Sequence, residues 1–210
     1  MKSPNVNIYK VQMVYFFREK LGMRAFGLMS SLYDRLKDVM KTEPQSIPIP
    51  DDAPVDMPRC IWNDVNKSLT FSKNRLDFFF HVPSKCNWQE LFHDFNDKIL
   101  SAIHGCDIMV DRVGIVAEIV SSDSFRELLM EHISIDKFNS AREANISWLE
   151  NDGAYNVWTY FSINESKDEN KIVFDINSLP ERKLSEQGIS GKEAMDRCAE
   201  KLKGKMLDVL

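Results

Sequence analysis

Several segments of the sequence that are predicted as β-strands contain acidic residues, among them Asp77, Glu118 and Asp175. Carboxylates that converge from neighbouring strands can bind magnesium and support hydrolysis of a phosphodiester, so this set is one candidate nuclease centre. Such a centre usually has a lysine one residue beyond an acidic partner, and neither Glu118 nor Asp175 is followed by one. On a sheet face open to water, the same acids are accounted for as the polar positions of the strand alternation.

Arg126 and His132, in the segment RELLMEH, form a second candidate for chemistry. Their R-x5-H spacing is used by a class of helical, HEPN-like ribonucleases, in which the two side chains steady and protonate the scissile phosphate. Those enzymes are helical bundles, whereas strands are predicted on both sides of this segment. A solvated helix face accounts for the spacing as well, so a metal-dependent nuclease or HEPN-like ribonuclease is kept as the alternative function.

Cysteine and glycine usage argues against a bound metal or cofactor. The four cysteines are far apart and form no CxxC pair, whereas structural zinc sites need ligands paired closely in sequence. No GxGxxG, P-loop or GxSxG motif is present. We therefore predict no metal site and no cofactor, and the balance leans away from an enzyme.

The most unusual side chains lie on the strand faces opposite the predicted core. In the segment RLDFFFHV, the core row is Leu76, Phe78, Phe80 and Val82. Aromatic and arginine side chains on a face outside the core are typical of surfaces that bind another protein. Six residues are predicted to bind a partner on this basis: Arg75, Asp77, Phe79, His81, Trp158 and Tyr160. An equal alternative is that a helix of the chain, such as the one predicted over 22–40, covers this face.

Apolar periodicity predicts the elements that must position these residues. The predicted strands span 7–17, 59–63, 69–82, 111–120, 145–150, 155–164 and 171–177. Helices are predicted over 22–40 and 124–133 and after the capping residues Asn87 and Ser190. The strand 69–82 changes phase near Lys73 and Asn74, which we attribute to a β-bulge. No sequence repeat is visible.

This order of elements predicts the fold class α+β, with a mostly antiparallel sheet of about six or seven strands and helices packed mainly on one face. Five of the eight prolines fall within 41–58, and proline removes the donor that helices and sheets need. We therefore predict a single domain over 1–210 with a proline-rich internal loop at 41–58.

Composition bounds the partners and the compartment. The net charge of −5 and the pI of about 5.5 argue against nucleic acid as the main partner, because proteins that grip phosphate usually carry a basic excess. The N-terminus lacks an apolar leader, and no apolar run reaches the length of a membrane span. Widely spaced cysteines fit reduced thiols, so we expect a cytoplasmic protein without membrane contact.

Three segments carry a family resemblance: PRCIWNDVNKSLTFSKNRLDFFF, VDRVGIVAEI and KIVFDIN, with Trp88 and Phe95 in the helix after the first. They resemble a family of sporadically distributed, uncharacterised α+β proteins of bacteria and their mobile elements. The chain departs from that pattern by placing the helix 22–40 directly after its first strand. The resemblance implies an α+β fold, and the family's scattered distribution is similar to that of accessory and phage-defence genes.

The leading functional prediction is a non-enzymatic accessory subunit of a prokaryote or phage, in a phage-defence or mobile-element system. It would act through contacts with another protein or with a second copy of itself. The absence of a catalytic motif, the acidic balance and the aromatic residues outside the core all favour this function over the nuclease alternative.

Overall fold

The computed structural model describes residues 7–22, 24–50, 52–121, 143–164 and 169–209. One antiparallel sheet of nine strands runs through these residues. Its strands are β1 (Asn7–Phe17), β2 (Gln45–Ser46), β3 (Cys60–Asp64), β4 (Lys67–Phe71), β5 (Arg75–His81), β6 (Val110–Ser121), β7 (Glu143–Asp152), β8 (Tyr155–Asn164) and β9 (Glu169–Ser178). The described helices are α1 (Arg24–Leu36), α2 (Trp88–Gly105) and α3 (Gly191–Val209), and none of them is long and apolar enough to cross a membrane.

The α+β class and the antiparallel sheet are confirmed, whereas the predicted count of six or seven strands is wrong. The segment 69–82 is not one bulged strand but part of the hairpin of β4 and β5, in which Phe71 stands opposite Leu76. A hairpin reverses the chain, so the alternation restarts with a new phase on the second strand. The proline-rich segment supplies the other additional strand, because β2 pairs with β3. The helix predicted over 124–133 lies outside the described residues.

The two-residue turn between β4 and β5, Lys73 and Asn74, lacks the glycine that is common in such turns. Hydrogen bonds stabilise it. Within the turn, the hydroxyl of Ser72 donates to Oδ1 of Asn74 at 2.9 Å, and the Ser72 amide donates to the carbonyl of Arg75 at 2.8 Å. From outside the turn, the amides of Phe17 and Leu21 donate to the carbonyls of Asn74 and Lys73 at 2.8 and 2.7 Å. The turn is thus stabilised both by its own Ser72 and Asn74 side chains and by the tertiary structure around it.

The strand order β2-β3-β4-β5-β1-β6-β9-β8-β7 is symmetrical about the β1–β6 pair, apart from the short β2. On one side, β1 is followed across the sheet by the meander β5, β4 and β3. On the other side, β6 is followed by the meander β9, β8 and β7. Each meander leads along the chain into a long helix, α2 or α3. The described residues therefore form two halves with the same topology, related by a pseudo-two-fold axis.

A sequence repeat becomes visible once the halves are aligned by their positions in the sheet. The segment KVQMV, residues 10–14, aligns with RVGIV, residues 112–116. In this alignment Met13 is equivalent to Ile115, which is also its partner in the β1–β6 register, as a two-fold axis through that pair requires. Asp77 of β5 is then equivalent to Asp175 of β9, because the two stand opposite the equivalent residues Val14 and Val116.

The closing helices repeat the same pattern. The Asn87 side chain accepts a hydrogen bond from the Gln89 amide at 3.0 Å, and the Ser190 hydroxyl accepts one from the Glu193 amide at 3.1 Å. The apolar stripe of α2 has the spacing of the stripe of α3. The α2 residues are Phe92, Phe95, Ile99 and Ile103, and the α3 residues are Met195, Cys198, Leu202 and Met206. Both predicted N-caps are confirmed.

The core lies on the face of the sheet that contacts these helices, here called the inner face. Val11, Met13 and Tyr15 of β1 are fully buried there. Phe95 of α2 packs on Phe78 and Phe80 with ring centroids 4.9 and 5.0 Å apart. On the same face but towards the two edges of the sheet, Tyr33 of α1 stacks on Trp62, and the Tyr155 hydroxyl donates to the carbonyl of Ala194 in α3. Residues of all three helices therefore contact inner-face side chains.

Adjacent phenylalanines on β5 should respond very differently to the same substitution. Phe80→Ser should lower the free energy of unfolding by at least about 3 kcal/mol, because it opens a cavity against Phe95 and buries a hydroxyl. Phe79→Ser should cost about 1 kcal/mol or less, since Phe79 is only half-buried on the opposite face. Urea denaturation of both variants measures the difference, and equal losses would mean that both faces of β5 are core.

Candidate interaction surface

The face of the sheet opposite the helix contacts is here called the outer face. Its central residues come from five strands: Lys10, Gln12, Val14 and Phe16 of β1, Arg75, Asp77, Phe79 and His81 of β5, Arg112, Gly114, Val116 and Glu118 of β6, Asp175 and Asn177 of β9, and Trp158 and Tyr160 of β8. Most of these side chains are neither fully buried nor fully exposed. All six residues predicted to bind a partner lie on this face.

A row of three outer-face side chains crosses β5, β1 and β6 near the end of β1. Phe16 stands directly opposite Arg75 on one side and Arg112 on the other. The guanidinium carbon of Arg75 lies 5.2 Å from the centroid of the Phe16 ring, and that of Arg112 lies 4.5 Å from it. Both distances fit cation–π contacts. We call these residues the Phe16 arginine pair.

The predicted residues Arg75 and Asp77 form an ion pair, with Nη2 of Arg75 2.5 Å from Oδ1 of Asp77. The same carboxylate oxygen accepts a hydrogen bond from the side-chain amide of Gln12, with Nε2 at 2.8 Å. Both partners of Asp77 lie on the outer face, so the carboxylate is part of a polar network along β1 and β5.

The other two predicted residues of β5 lie in an aromatic cluster. The Lys10 ammonium is 4.5 Å from the centre of the Phe79 ring, and His81 meets that ring edge-on at 6.0 Å. His81 also packs edge-on against Tyr9 at 4.7 Å. Side chains of β1 therefore cover part of Phe79, while α1 contacts the inner-face residue Trp62.

Trp158 and Tyr160 form the aromatic part of the second half. Their rings stack with centroids 5.9 Å apart and planes at 17°. Leu149, opposite Trp158 on β7, is 46% exposed, and Tyr160 is 38% exposed. These three residues make an apolar patch that water reaches, which is the composition expected of a protein-binding surface.

The three candidate nuclease acids do not converge. Two strands, β1 and β6, separate Asp77 on β5 from Asp175 on β9. Glu118 pairs with Lys171 at 2.6 Å, and Asp175 accepts a hydrogen bond from Asn177. Across the part of the chain that the structure describes, no three histidine, cysteine or acidic side chains are grouped as metal ligands. Arg126 and His132 lie outside the described residues.

Sequence reasoning missed Phe16, Arg112 and Gly114. Phe16 shares the outer row of β1 with Lys10 and Gln12, so the strand alternation held the signal that could have found it. Gly114 has no such signal, because its role is a close approach. A Cβ on Gly114 would collide with Oδ1 of Asn177 and would lie 3.1 Å from its Cγ and 3.4 Å from the carbonyl oxygen of Ile176. Glycine here gives the Asn177 side chain room beside β6.

Two charged groups of this surface have shifted pKa values. Desolvation by burial raises the pKa of Asp175, against the opposing effects of the Asn177 hydrogen bond and the Arg75 charge. Desolvation also lowers the pKa of Arg112, and the nearby Arg75 charge acts in the same direction, while Glu181 opposes it. Partial removal from water thus affects charged groups of both signs on the outer face.

No protein-family model matches the sequence, and a search of curated proteins found no match. The candidate site is therefore defined by its own geometry.

Substituting Gly114 tests the close approach to Asn177. Gly114→Ala should lower the free energy of unfolding by about 1–3 kcal/mol, because the new methyl group displaces the Asn177 side chain. In the Asn177→Ser background the same substitution should cost clearly less, since the obstructing amide is gone. A double-mutant cycle from urea denaturation gives the coupling, and full additivity would contradict the contact.

Asp175 should weaken the fold at neutral pH. Its pKa is raised in the folded state, so its stabilising contribution is complete below the unfolded pKa and is lost as the pH rises through the folded pKa. Asp175→Asn should therefore gain stability over the wild type as the pH increases from 4 to 7. The Asn177 amide can still donate to the substituted side chain.

Urea midpoints measured across this range give the pH dependence of the difference. Asp77→Asn is the matched control, because it removes the ion pair with Arg75 and should lower the midpoint at pH 7. If the stability of Asp175→Asn relative to the wild type falls as the pH rises, the raised pKa of Asp175 is contradicted.

Proposed function

We propose that the protein is a non-enzymatic accessory subunit that binds another protein, or a second copy of itself, through the outer face of the sheet. The observation that carries the proposal is the placement of aromatic and arginine side chains together on that face. The stacked Trp158 and Tyr160 and the Phe16 arginine pair are the residue types that dominate binding energy in protein interfaces.

The contacts of the helices support the same use of the sheet. Tyr33, Phe95 and Ala194, one from each helix, contact inner-face residues. The proposal extends this to a sheet with its helices mainly on one face and its other face available to a partner. Partner binding would then bury the exposed fractions of Leu149 and Tyr160.

The acids of the outer face give the nuclease alternative little support. A magnesium centre needs carboxylates with free oxygens aimed at one point. Asp77 is bound by Arg75 and Gln12, and Glu118 is bound by Lys171. These contacts fit acids that organise a surface.

We also propose a cytoplasmic location and a role in a phage-defence or mobile-element system. The location is supported by the free thiols of Cys60, Cys86, Cys106 and Cys198. The role is supported by the resemblance of the segments 58–80, 110–119 and 171–177 to proteins of bacteria and their mobile elements.

Removing the aromatic pair tests the proposed surface. The double variant Trp158→Ala and Tyr160→Ala should lose binding to a partner that is identified by cross-linking mass spectrometry and purified, or should lose self-association. The variant should still fold, because both rings lie outside the core. Phe26→Ala is the matched control, since Phe26 is a 65% exposed aromatic residue on α1.

Isothermal titration calorimetry with the purified partner, and light scattering for self-association, measure the effect. Equal binding by the wild type and the double variant would contradict the outer face as the interface. Magnesium-dependent cleavage of nucleic acid that is lost in Asp77→Asn and Asp175→Asn would favour the enzyme instead.

A further inference from the structure

Arg112 carries a positive charge that no carboxylate in the described residues pairs with directly. Its described contact is the cation–π contact with Phe16 at 4.5 Å, whereas Arg75 also has the ion pair with Asp77. A cation–π contact at a partly exposed site is weak, so the ring offsets only a small part of the charge.

One nitrogen of each guanidinium group also lacks a hydrogen-bond acceptor. The Nε atoms of Arg75 and Arg112 are buried, and neither has a hydrogen-bond partner in the described residues. Two like charges sharing one aromatic ring repel each other, and the repulsion is stronger where water is partly excluded. An anion beside the pair would offset the charge of Arg112 and accept hydrogen bonds from the terminal guanidinium N–H groups that have no partner in the described residues.

The charges around the pair decide which anion fits. Asp77 forms an ion pair with Arg75, the charges of Asp175 and Arg75 attract each other, and the charge of Glu181 attracts Arg112 without an ion pair between them. These three acids would repel a chain of phosphates, as would the net charge of −5. One compact carboxylate meets less repulsion, and its two oxygens match the planar fork of an arginine.

We propose that the Phe16 arginine pair binds a single carboxylate group, presented by an aspartate, a glutamate or the C-terminus of the partner protein. Arg112 is the main ligand and Arg75 the second, with the Phe16 ring fixing both guanidinium planes. That a partner protein presents the carboxylate rests on the proposed function. That the site binds a carboxylate rests on the geometry of Phe16, Arg75 and Arg112.

The carboxylate site can be tested without the partner. The probe is N-acetyl-glutamate methylamide, which has one side-chain carboxylate, and its uncharged match is N-acetyl-glutamine methylamide. Titration of the isotope-labelled full chain is followed by the Nε–Hε resonances of the arginines. We expect saturable shifts at Arg112 and Arg75 with the glutamate probe and none with the glutamine probe.

Three variants assign the binding to named side chains. Arg112→Gln should weaken binding by about tenfold or more, and Arg112→Lys should weaken it less, because the charge stays while the fork is lost. Glu181→Gln should tighten binding, since it removes a competing charge. Unchanged backbone amide spectra verify that each variant folds. If Arg112→Gln does not fold, the weaker binding expected of Arg112→Lys tests the role of Arg112.

Several results would overturn the inference. These are no saturable shift, equal shifts with both probes, full binding by Arg112→Gln, or saturation with inorganic phosphate and not with the glutamate probe. The double variant at Trp158 and Tyr160 should bind the probe like the wild type. If a partner binds but the glutamate probe does not, only the carboxylate site is contradicted. If the probe binds but no partner or self-association is found, only the proposed interface is contradicted.

Discussion

The pairing of β1 with β6 is the constraint on which both faces of the sheet depend. This ladder joins the two meanders, and Met13 stands opposite Ile115 at its centre. Since successive side chains of a strand point to opposite faces, one register fixes two sets of neighbours at once. Val11, Met13 and Tyr15 are placed in the core, while Lys10, Gln12 and Phe16 are placed on the outer face. A slip of one residue would exchange the two sets.

Duplicated topology gives the chain a large sheet from a small set of local rules. Each half contains a long central strand, a meander and a capped closing helix. The inner positions are apolar in both halves, as in Met13 and Ile115, because both halves must fill a core. On the outer face, the halves are alike at Val14 and Val116 and at Asp77 and Asp175, and they differ at Gln12 and Gly114.

Electrostatics on the outer face are balanced locally. Asp77, Glu118 and Asp175 each contact a nearby donor or cation, and Lys10 and Arg75 each lie over an aromatic ring. These contacts hold polar side chains in fixed positions on a partly buried surface, which would lower the entropic cost of the binding proposed above. Among the described residues, Lys10 and Arg112 each contact a ring without a paired acid, and Arg112 is the one that shares its ring with a second cation.

Strand and helix patterns in the sequence determined the class of the fold. Alternation located β1, β3, β6, β8 and β9, and the capping residues Asn87 and Ser190 marked the starts of α2 and α3. The same alternation placed Arg75, Asp77, Phe79 and His81 outside the core, because the side-chain period of two belongs to the strand itself.

Long-range pairing decided the rest. The β4–β5 turn depends on hydrogen bonds from Phe17 and Leu21, which no local signal in Ser72 to Arg75 could reveal. The position of Arg112 beside Phe16 depends on the β1–β6 register, and the need for glycine at 114 depends on Asn177 of the adjacent strand. Residues far apart in sequence come into contact only when the strands pair. Local periodicity therefore predicts the strands and helices, while the strand pairing determines which residues are neighbours.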